Sequence, residues 1–396
     1  MTRLMLHWNQ RCFQSQPGML RTIQALLLST AVAGTASQAL AVEFVTVGPR
    51  ATGMGGAGVA VTTDSLATYW NPAGLAMTQT VDIRAQGTGL VIDRRGFGDT
   101  IRDLDDFNPN NPNISANLAL ARDIADRLNQ SGATLSLNGS AGLYLKGHLG
   151  EHAFGVNVSD VATGGGYISE PIRVTASGPS VLVRGAMAFR GLEARQLAFS
   201  YAYAFSDKTF SVGVTAKVIQ GVSYLGSAEL RGGSGVSLST HFGKPTISTA
   251  YGIDVGAIYK PSSWIRFGIV AKDINKPTFN DASGGDVKLE PQVRGGVALN
   301  PWSTLTLTAD VDITSNNTLL AGVKSQYLSL GAEQTFLTEF LSLRIGTFKN
   351  MKDAATPFIP TAGLGLRFFF LRADVGGGYD FREQGAMVSG SLSATF

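Results

Sequence analysis

The sequence predicts an all-β fold, an antiparallel sheet of about 14 strands that closes into a barrel. Three observations lead to this prediction. Polar and apolar residues alternate over stretches of about ten residues, the connections between these stretches alternate between long and short, and only 15% of the residues are charged. A soluble domain carries about a quarter of its residues as charged side chains, so the composition favours a sheet with one apolar and one wetted face.

The alternation is clearest in residues 304–313, where Leu, Ala, Val and Ile occupy the odd positions and Thr or Asp the even ones. Residues 209–218 and 388–396 repeat the pattern. Successive side chains of a strand point to opposite faces, so a period of two indicates one apolar and one polar face. No stretch after residue 41 approaches the roughly 20 apolar residues of a membrane helix.

Most of the candidate strands run for about ten residues or more, the length at which a tilted strand crosses a bilayer. Strands of soluble proteins average about five or six residues. The predicted strands are 80–95, 134–148, 151–162, 182–205, 209–225, 246–260, 263–275, 287–299, 303–313, 325–337, 339–349, 359–370, 371–382 and 385–396.

The connections favour a membrane barrel over a soluble sandwich. Long segments such as 96–133, 163–181 and 226–245 alternate with tight turns such as 150–151 and 261–262. Outer-membrane barrels have short periplasmic turns and longer outside loops, whereas a sandwich has no reason for this asymmetry. Aromatic residues also suit a membrane boundary: Phe199, Tyr201, Tyr203 and Phe205 share one face of one strand, and Tyr259, Trp264 and Trp302 lie beside the short turns.

One stretch of the first long loop has a helical period. Apolar residues recur at spacings of three and four between residues 113 and 130, and Ser115 is able to cap the segment. We therefore predict a short amphipathic helix within the outside loop 96–133, either as a packed loop or as a gate over the barrel mouth.

The N-terminus has the pattern of an export signal. Arg21 supplies the positive charge, residues 23–33 form a short apolar core, and Ala39 and Ala41 make a small-x-small cleavage site. Residues 1–41 are thus predicted to be a signal peptide, with Met19 as an alternative start, and the chain is expected in the cell outer membrane. Residues 42–79 are predicted to form an N-terminal plug, and residues 80–396 the transmembrane barrel.

Several functions are not supported by the sequence. The single cysteine, Cys12, lies in the predicted leader, and the net charge of +3 is scattered without a basic stripe, which argues against nucleic-acid binding. His148 and His152 flank a predicted tight turn, so they do not form a helical metal pair. No Gly-x-Ser-x-Gly elbow is present. We predict no enzyme activity, no metal and no cofactor.

The stretch before the first strand is rich in glycine. Gly53, Gly55 and Gly58 satisfy the G-x-G-x-x-G pattern of dinucleotide-binding proteins, but no βαβ unit surrounds them. Glycines at these positions, together with Gly56, more plausibly let the backbone fold tightly in a confined lumen.

This stretch resembles the N-terminal plug of FadL-like outer-membrane transporters. The motifs are the run from Arg50 to Ala57 and the sequence Tyr69-Trp70-Asn71-Pro72-Ala73-Gly74-Leu75. Together with residues 268–275 and 289–298, they are similar above all to the related barrels called conjugal transfer TraF-like. The resemblance implies a fourteen-stranded barrel, a hatch near the periplasmic end that contains Asn71, Pro72, Ala73 and Gly74, and diffusion of hydrophobic molecules.

The predicted lumen is more polar than that of a fatty-acid conduit. By strand parity, the following charged residues face inward: Lys217, Asp254, Arg266, Lys272, Asp310, Asp312, Glu333 and Arg344. Asp310 and Asp312 share one strand face, and we expect them to form stabilising lumen ion pairs rather than a catalytic pair.

Two functions remain open from the sequence. The first is passive transport of small, hydrophobic molecules through a plugged barrel. The alternative is a non-transporting scaffold for a conjugal transfer or secretion system, with protein components of that system as partners. Either protein would contact outer-membrane lipid, and Phe396, which ends an alternating strand, resembles the C-terminal signal that the barrel-assembly machinery recognises.

Overall fold

The computed structural model describes residues 44–205, 207–232, 244–320, 323–354 and 356–396. The predicted signal peptide, with Ala39 and Ala41, lies outside these residues. The helices are α1 (Pro49–Gly53), α2 (Ala67–Trp70), a 3-10 helix (Pro72–Met77), α3 (Phe97–Asp105) and α4 (Ile114–Leu128). The strands are β1 (Asp82–Arg94), β2 (Thr134–Leu149), β3 (His152–Ser177), β4 (Ser180–Phe205), β5 (Phe210–Arg231), β6 (Thr246–Ser262), β7 (Ile265–Lys272), β8 (Thr278–Asn280), β9 (Asp286–Lys288), β10 (Gln292–Trp302), β11 (Leu305–Asp312), β12 (Asn316–Asn317), β13 (Lys324–Ser325), β14 (Tyr327–Phe336), β15 (Leu341–Asn350), β16 (Ile359–Phe368), β17 (Leu371–Tyr379) and β18 (Ala386–Thr395).

Fourteen of these strands form one closed antiparallel barrel, which confirms the predicted fold class and strand number. The barrel order is β1, β18, β17, β16, β15, β14, β11, β10, β7, β6, β5, β4, β3 and β2. Closure is made by β1 and β18, which pair from Asp82 opposite Thr395 to Val91 opposite Ala386. Both ends of the barrel sequence therefore lie at one rim, which we call the short-turn end; the other rim is the long-loop end.

The two faces of the barrel differ as the alternation requires. In β1 the even-numbered residues Asp82, Arg84 and Gln86 are buried inside, whereas Ile83 between them is exposed on the outer face. Large apolar side chains stand on the same outer face of other strands, such as Val388, which is 70% exposed. A continuous apolar exterior of this kind is stable against hydrocarbon and not against water. None of the described helices combines the length and apolar composition needed to cross a bilayer.

The long-loop end differs from the prediction in one sector. The segment 163–181, expected to be a loop, continues β3 and β4, which pair as far as Ser177 opposite Ser180. Each of these strands has 26 residues, against 10 in β14, so the prediction of a loop here was wrong. Likewise β5 continues to Arg231, beyond the predicted start of a loop at residue 226. Together the three strands form a projecting ribbon above the barrel.

Two helices pack against this ribbon. Helix α4 lies within the segment where the sequence predicts a helix, and α3, which the sequence analysis missed, precedes it. Asn113 caps α4 by accepting a hydrogen bond from the Ala116 N–H. The apolar faces of the helices and the ribbon form one core whose buried members include Phe97, Leu104, Ile124, Leu128, Val181 and Leu230.

Two connections at the long-loop end turn back into the lumen as small hairpins, β8–β9 and β12–β13. Phe279 of β8 is fully buried and packs with Ile219 of β5 and Leu192 of β4. Asp281 in the same hairpin accepts a hydrogen bond of 2.8 Å from the Ser223 hydroxyl. The hairpins therefore fill the outer part of the lumen.

Candidate functional site

Residues 44–78, which we call the lumen segment, lie inside the barrel and are buried along most of their length. Their contacts reach strands on all sides, so the wall surrounds the segment. Helix α1 contacts β15 to β18, while the 3-10 helix contacts β4, β5 and β6 on the other side. The segment folds through two short helices and a 3-10 helix.

Glycines of the wall allow the segment to approach the strands closely. A Cβ atom added at Gly331 or Gly346 would collide with the backbone of Met54. Within the segment, Gly55 and Gly56 have positive φ angles of 68° and 85°, which favour glycine, and the backbone turns there after α1. Of the glycines in the predicted hatch motif, Gly53, Gly55 and Gly74 lie against backbone atoms, while Gly58 lies against the Trp70 ring.

The Asn71-Pro72-Ala73 sequence is bound to the wall near the short-turn end. The Asn71 side-chain nitrogen donates to the Val59 carbonyl at 3.2 Å and to the wall carbonyls of Ala257 and Ile269 at 3.2 and 3.3 Å. Its oxygen accepts from the Ala73 N–H and caps the 3-10 helix. Asn71 therefore joins the lumen segment to β6 and β7 and begins the helix with the same side chain.

A chain of charged residues joins α1 to the adjacent wall. Arg50 Nη2 lies 2.6 Å from Glu333 Oε1, and Arg344 Nε lies 2.6 Å from the other oxygen of that carboxylate. Arg344 continues to Asp374 at 2.8 Å, and Arg84 bonds to Asp64 of the lumen segment at 2.9 Å. Buried ions of this kind require partners, and here each carboxylate is shared by more than one cation or by the segment itself.

Two inward-facing aspartates of β11 bind different kinds of partner, one the backbone of the lumen segment and the other a cation. The Asp310 carboxylate accepts from the N–H groups of Gly58 and Val59 at 2.7 and 2.8 Å, and Asp312 pairs with Arg294 at 2.5 Å. The two aspartates therefore differ from the expectation of two ion pairs: only Asp312 has an ion-pair partner among the described residues, while Asp310 fixes the glycine turn. Both contacts hold structure rather than a reacting pair.

Aromatic residues of the lumen segment form a cluster with two cations of the wall. The rings of Phe44, Tyr69 and Trp70 lie 5.4 to 5.9 Å apart. Lys272 Nζ lies 3.3 Å from the centre of the Tyr69 ring, and the Arg294 guanidinium carbon lies 4.0 Å from that of Phe44. Burial raises the pKa of the Tyr69 hydroxyl well above its usual value, so the group stays protonated and donates to the Val45 carbonyl at 2.7 Å.

Two cavities adjoin this cluster on the side of the long loops. The first has both apolar and polar walls. It is lined by Phe44, Val45, Thr46, Gly55, Thr88, Leu90, Asn138, Arg294, Tyr327, Ser329, Phe348 and Met387. The second is lined in part by Tyr69 and Lys272. Both are open to solvent and reach the lumen segment.

The structure brings together most of the sequence-predicted residues but not all in one network. Lys217 contacts both Asp254 and Asp273, at 2.8 and 2.7 Å. Arg266 stands apart from these groups and donates to the Ala60 carbonyl at 3.2 Å. Phe396 lies at the short-turn rim, where its ring stacks on Phe370 at 5.2 Å. The inward charges that the sequence analysis missed include Asp82, Arg84, Lys146, Arg294, Arg372 and Asp374.

The two histidines that the structure describes lie at one turn. His148 and His152 flank the turn after β2, and His152 Nδ1 lies 2.8 Å from the Tyr201 hydroxyl. Among the residues that the structure describes, no three His, Cys, Asp or Glu side chains lie close enough together to hold a metal ion.

Comparison of the sequence with family models gives one match over residues 68–312, more than half of the chain, to the F plasmid transfer operon TraF protein. The chain belongs to this TraF family. The match runs from α2 of the lumen segment to the end of β11, so it includes the Asn71 motif and the Lys217, Lys272 and Asp310 positions. No curated protein sequence matches the chain.

Solved structures similar to this TraF-family chain are outer-membrane channels of the FadL type. The Ralstonia pickettii toluene transporter TbuX is 15% identical over 88% of this chain and 97% of its own, with a TM-score of 0.52. The Pseudomonas putida toluene transporter TodX is 11% identical over 91% and 99% of the two chains, with a TM-score of 0.51. A Pseudomonas aeruginosa FadL homologue is 13% identical over 89% and 98%, with a TM-score of 0.50.

Proposed function

We propose that the protein is a passive outer-membrane conduit for small, largely apolar molecules, in which the lumen segment acts as a plug. The observation that carries this proposal is the cavity between the plug and the long-loop end, which opens toward solvent and reaches Phe44 of the plug. Leu90, Phe348 and Met387 supply apolar wall, while Asn138 and Ser329 add a few polar groups. Small-molecule sites have this kind of lining.

The similar solved structures also support the transport of small apolar molecules. Their titles describe transporters of toluene, and another similar structure is that of a monoaromatic hydrocarbon channel. At this level of identity they share the fold with our chain, and their cargo is transferred to it only as part of the proposal.

The location and export of the chain are part of the same proposal. The apolar exterior of the barrel fits the outer membrane, and the signal peptide would be removed after Ala41 before the barrel-assembly machinery inserts the chain. The hatch motif, from Gly53 to Gly58 and from Asn71 to Gly74, would then hold the plug in the lumen, as the contacts of Asn71 with β6 and β7 support.

Passage requires the plug to move in part. The ion pairs of Arg50 with Glu333 and of Arg84 with Asp64 join the plug to the wall, and the Asp310 carboxylate holds its glycine turn. A molecule that enters the cavity reaches Phe44 and the first residues of the plug, which lie against Arg294. A shift of this end of the plug alone would extend the cavity inward without breaking the bonds of Asn71.

The test is conductance and solute uptake by the refolded protein in lipid vesicles, with and without residues 42–79. We expect the truncated barrel to conduct and the full-length chain to take up toluene without an ion current. A matched pair of variants locates the route: Leu90→Trp, which fills the cavity, should reduce toluene uptake, and Val91→Trp on the neighbouring residue outside the cavity lining should not. If both forms of the protein are closed to ions and to toluene, transport is contradicted.

The alternative is a scaffold for a conjugal transfer or secretion system, and one feature favours it. The ribbon of β3, β4 and β5 projects beyond the barrel and carries helices α3 and α4. A passive conduit has no need of this structure. A scaffold predicts that cross-linking from the ribbon tip, at Ser177 for example, captures components of such a system in intact cells.

A further inference from the structure

Lys272, at the end of β7, places a buried ammonium group against the second cavity. The side chain is 6% exposed, and Nζ lies 3.3 Å and 4.5 Å from the ring centres of Tyr69 and Phe44. Within the described part of the chain, Nζ forms these two ring contacts but donates no hydrogen bond and makes no ion pair. An ammonium group has three donors, and burial without an acceptor is costly.

The nearby carboxylates are bound to other groups. Asp254 and Asp273 both contact Lys217, at 2.8 and 2.7 Å, and Asp254 also accepts the Asp273 N–H at 2.8 Å. The two lysines and two aspartates sum to no net charge. All of these groups except Asp254 line the cavity, but both aspartates are bound to Lys217, whereas Lys272 forms no ion pair among the described residues.

The rest of the second cavity has an apolar part and a polar part, and the polar part includes Lys217 and Asp273. Leu192, Ile219 and Leu289 line the cavity beside two amides, Gln196 and Gln292. The β8–β9 hairpin packs over this side through Phe279, which contacts the same leucine and isoleucine cluster. A ligand here would meet a cation at one end and a short, closed apolar wall at the other.

We propose that this cavity binds a small organic monocarboxylate with a compact apolar body, of the size of benzoate. The carboxylate would accept hydrogen bonds from Lys272, and the body would pack against Leu192, Ile219 and Leu289. A single charge fits because Asp273 also borders the cavity and would repel a dianion. The inference rests on the proposed function only in that the lumen admits solutes from the long-loop end.

The direct test measures benzoate binding to the refolded full chain in detergent by isothermal titration calorimetry. We expect Lys272→Met to weaken benzoate binding by tenfold or more and Lys272→Arg to keep it within about threefold of the original. Lys288→Met is the matched control, because Lys288 is an exposed lysine on the hairpin next to the cavity. Equal benzoate affinity in the original protein and in Lys272→Met overturns the proposal.

Other probes test the ligand class. Toluene should bind equally to the original protein and to Lys272→Met, since it has no charge to place. Inorganic phosphate should not compete with benzoate, and competition by phosphate would show a general anion site instead. Laurate should bind more weakly than benzoate, and tighter binding of laurate would contradict the compact body.

A second variant tests the proposal if Lys272→Met does not fold. Ala194→Trp would fill the cavity from β4 and leave the charged residues in place. Retention of benzoate binding in this variant would also overturn the proposal. Benzoate binding without solute uptake by vesicles would support this site and contradict the proposed transport. Solute uptake without benzoate binding would support transport and contradict this site.

Discussion

Gly331 of β14 faces the lumen segment where Met54 leaves α1. A Cβ atom at this position would lie against the backbone and Cβ of Met54, and neither is the end of a flexible side chain. We predict that Gly331→Ala lowers the free energy of unfolding by about 1–3 kcal/mol, the usual cost of forcing an extra carbon into a packed interior. Urea unfolding of the refolded barrel, followed by its heat-modifiable migration, measures the change.

The matched control is Gly87→Ala in β1. A Cβ atom added at Gly87 meets nothing within 4 Å, so this substitution should leave the unfolding midpoint unchanged. Equal midpoints for the two variants would show that the segment does not pack against β14 in the folded protein.

Glu333 joins two cations that belong to different parts of the chain. Its carboxylate lies 2.6 Å from both Arg50 and Arg344, and its side chain is 6% exposed. We predict that Glu333→Gln destabilises the protein by about 3–5 kcal/mol, because it leaves two guanidinium groups without this partner. Arg50→Met should cost less, since Arg344 still neutralises the carboxylate, and the comparison is made by urea unfolding. A larger loss for Arg50→Met would contradict this assignment.

Two residues of this network, Glu333 and Arg344, could be predicted from the sequence as inward-facing charges, but their partners could not. Strand parity places Glu333 and Arg344 on the inward face, because alternation is a local property of the chain. Their partner Arg50 is 283 residues from Glu333, and only closure of the barrel brings the two together. The same holds for Asp310, whose backbone partners in the lumen segment have no signal in composition or spacing.

Among the elements, the β8–β9 hairpin contains a carboxylate on which its position depends. Burial opposes the charge of Asp281, but hydrogen bonds from Ser283 and Ser223 and the nearby Arg190 outweigh it and hold the pKa of Asp281 below its ordinary value. A carboxylate with a depressed pKa stabilises the folded state at pH values above its ordinary pKa. This stabilisation is lost as the pH falls through the depressed pKa. The hairpin should therefore leave the lumen in acid.

A dye attached at Asp286→Cys, an exposed site on β9, would report this opening. We expect the emission to change with a midpoint below about pH 3.9, the ordinary pKa of an aspartate. Asp281→Asn should place the hairpin in the open state at neutral pH as well. If Asp281→Asn titrates like the original chain, Asp281 does not hold the hairpin.

The elements that the sequence did not predict share one physical reason. The barrel strands alternate because lipid and lumen impose opposite demands on their two faces. Beyond the membrane this demand ends, and the continuation of β3 runs through Gly164, Gly165 and Gly166 with no alternation to indicate a strand. Helix α3 begins after Gly96 and carries several aspartates, a composition that also suits a loop. Packing against the ribbon, rather than local preference, fixes both elements.

For the whole molecule, assembly depends on the strand that closes the barrel. Phe396 follows β18, exchanges backbone hydrogen bonds with Val81 and stacks on Phe370 at the rim. We predict that deletion of Phe396 reduces insertion into the outer membrane severalfold, because the exposed terminal ring is the feature available to the assembly machinery. Fractionation of cells that express the truncated chain measures this, with Phe369→Ala at the neighbouring turn as control. Normal insertion without Phe396 would remove this role.

Orientation follows from the asymmetry of the two rims. Turns at the short-turn end are only a few residues long, such as the turn at Ser303 between β10 and β11. The long-loop end instead carries the ribbon and both outer helices. The single cysteine of the chain, Cys12, lies in the predicted leader, so an introduced cysteine is the sole thiol after cleavage. We predict that Ser177→Cys at the ribbon tip reacts on intact cells with a maleimide attached to a large polyethylene glycol. Ser303→Cys should react only after the outer membrane is opened, because this reagent is too large for porins. Labelling of Ser303→Cys on intact cells would place the short turns outside, and the ribbon, the cavities and the proposed entry route would then face the periplasm.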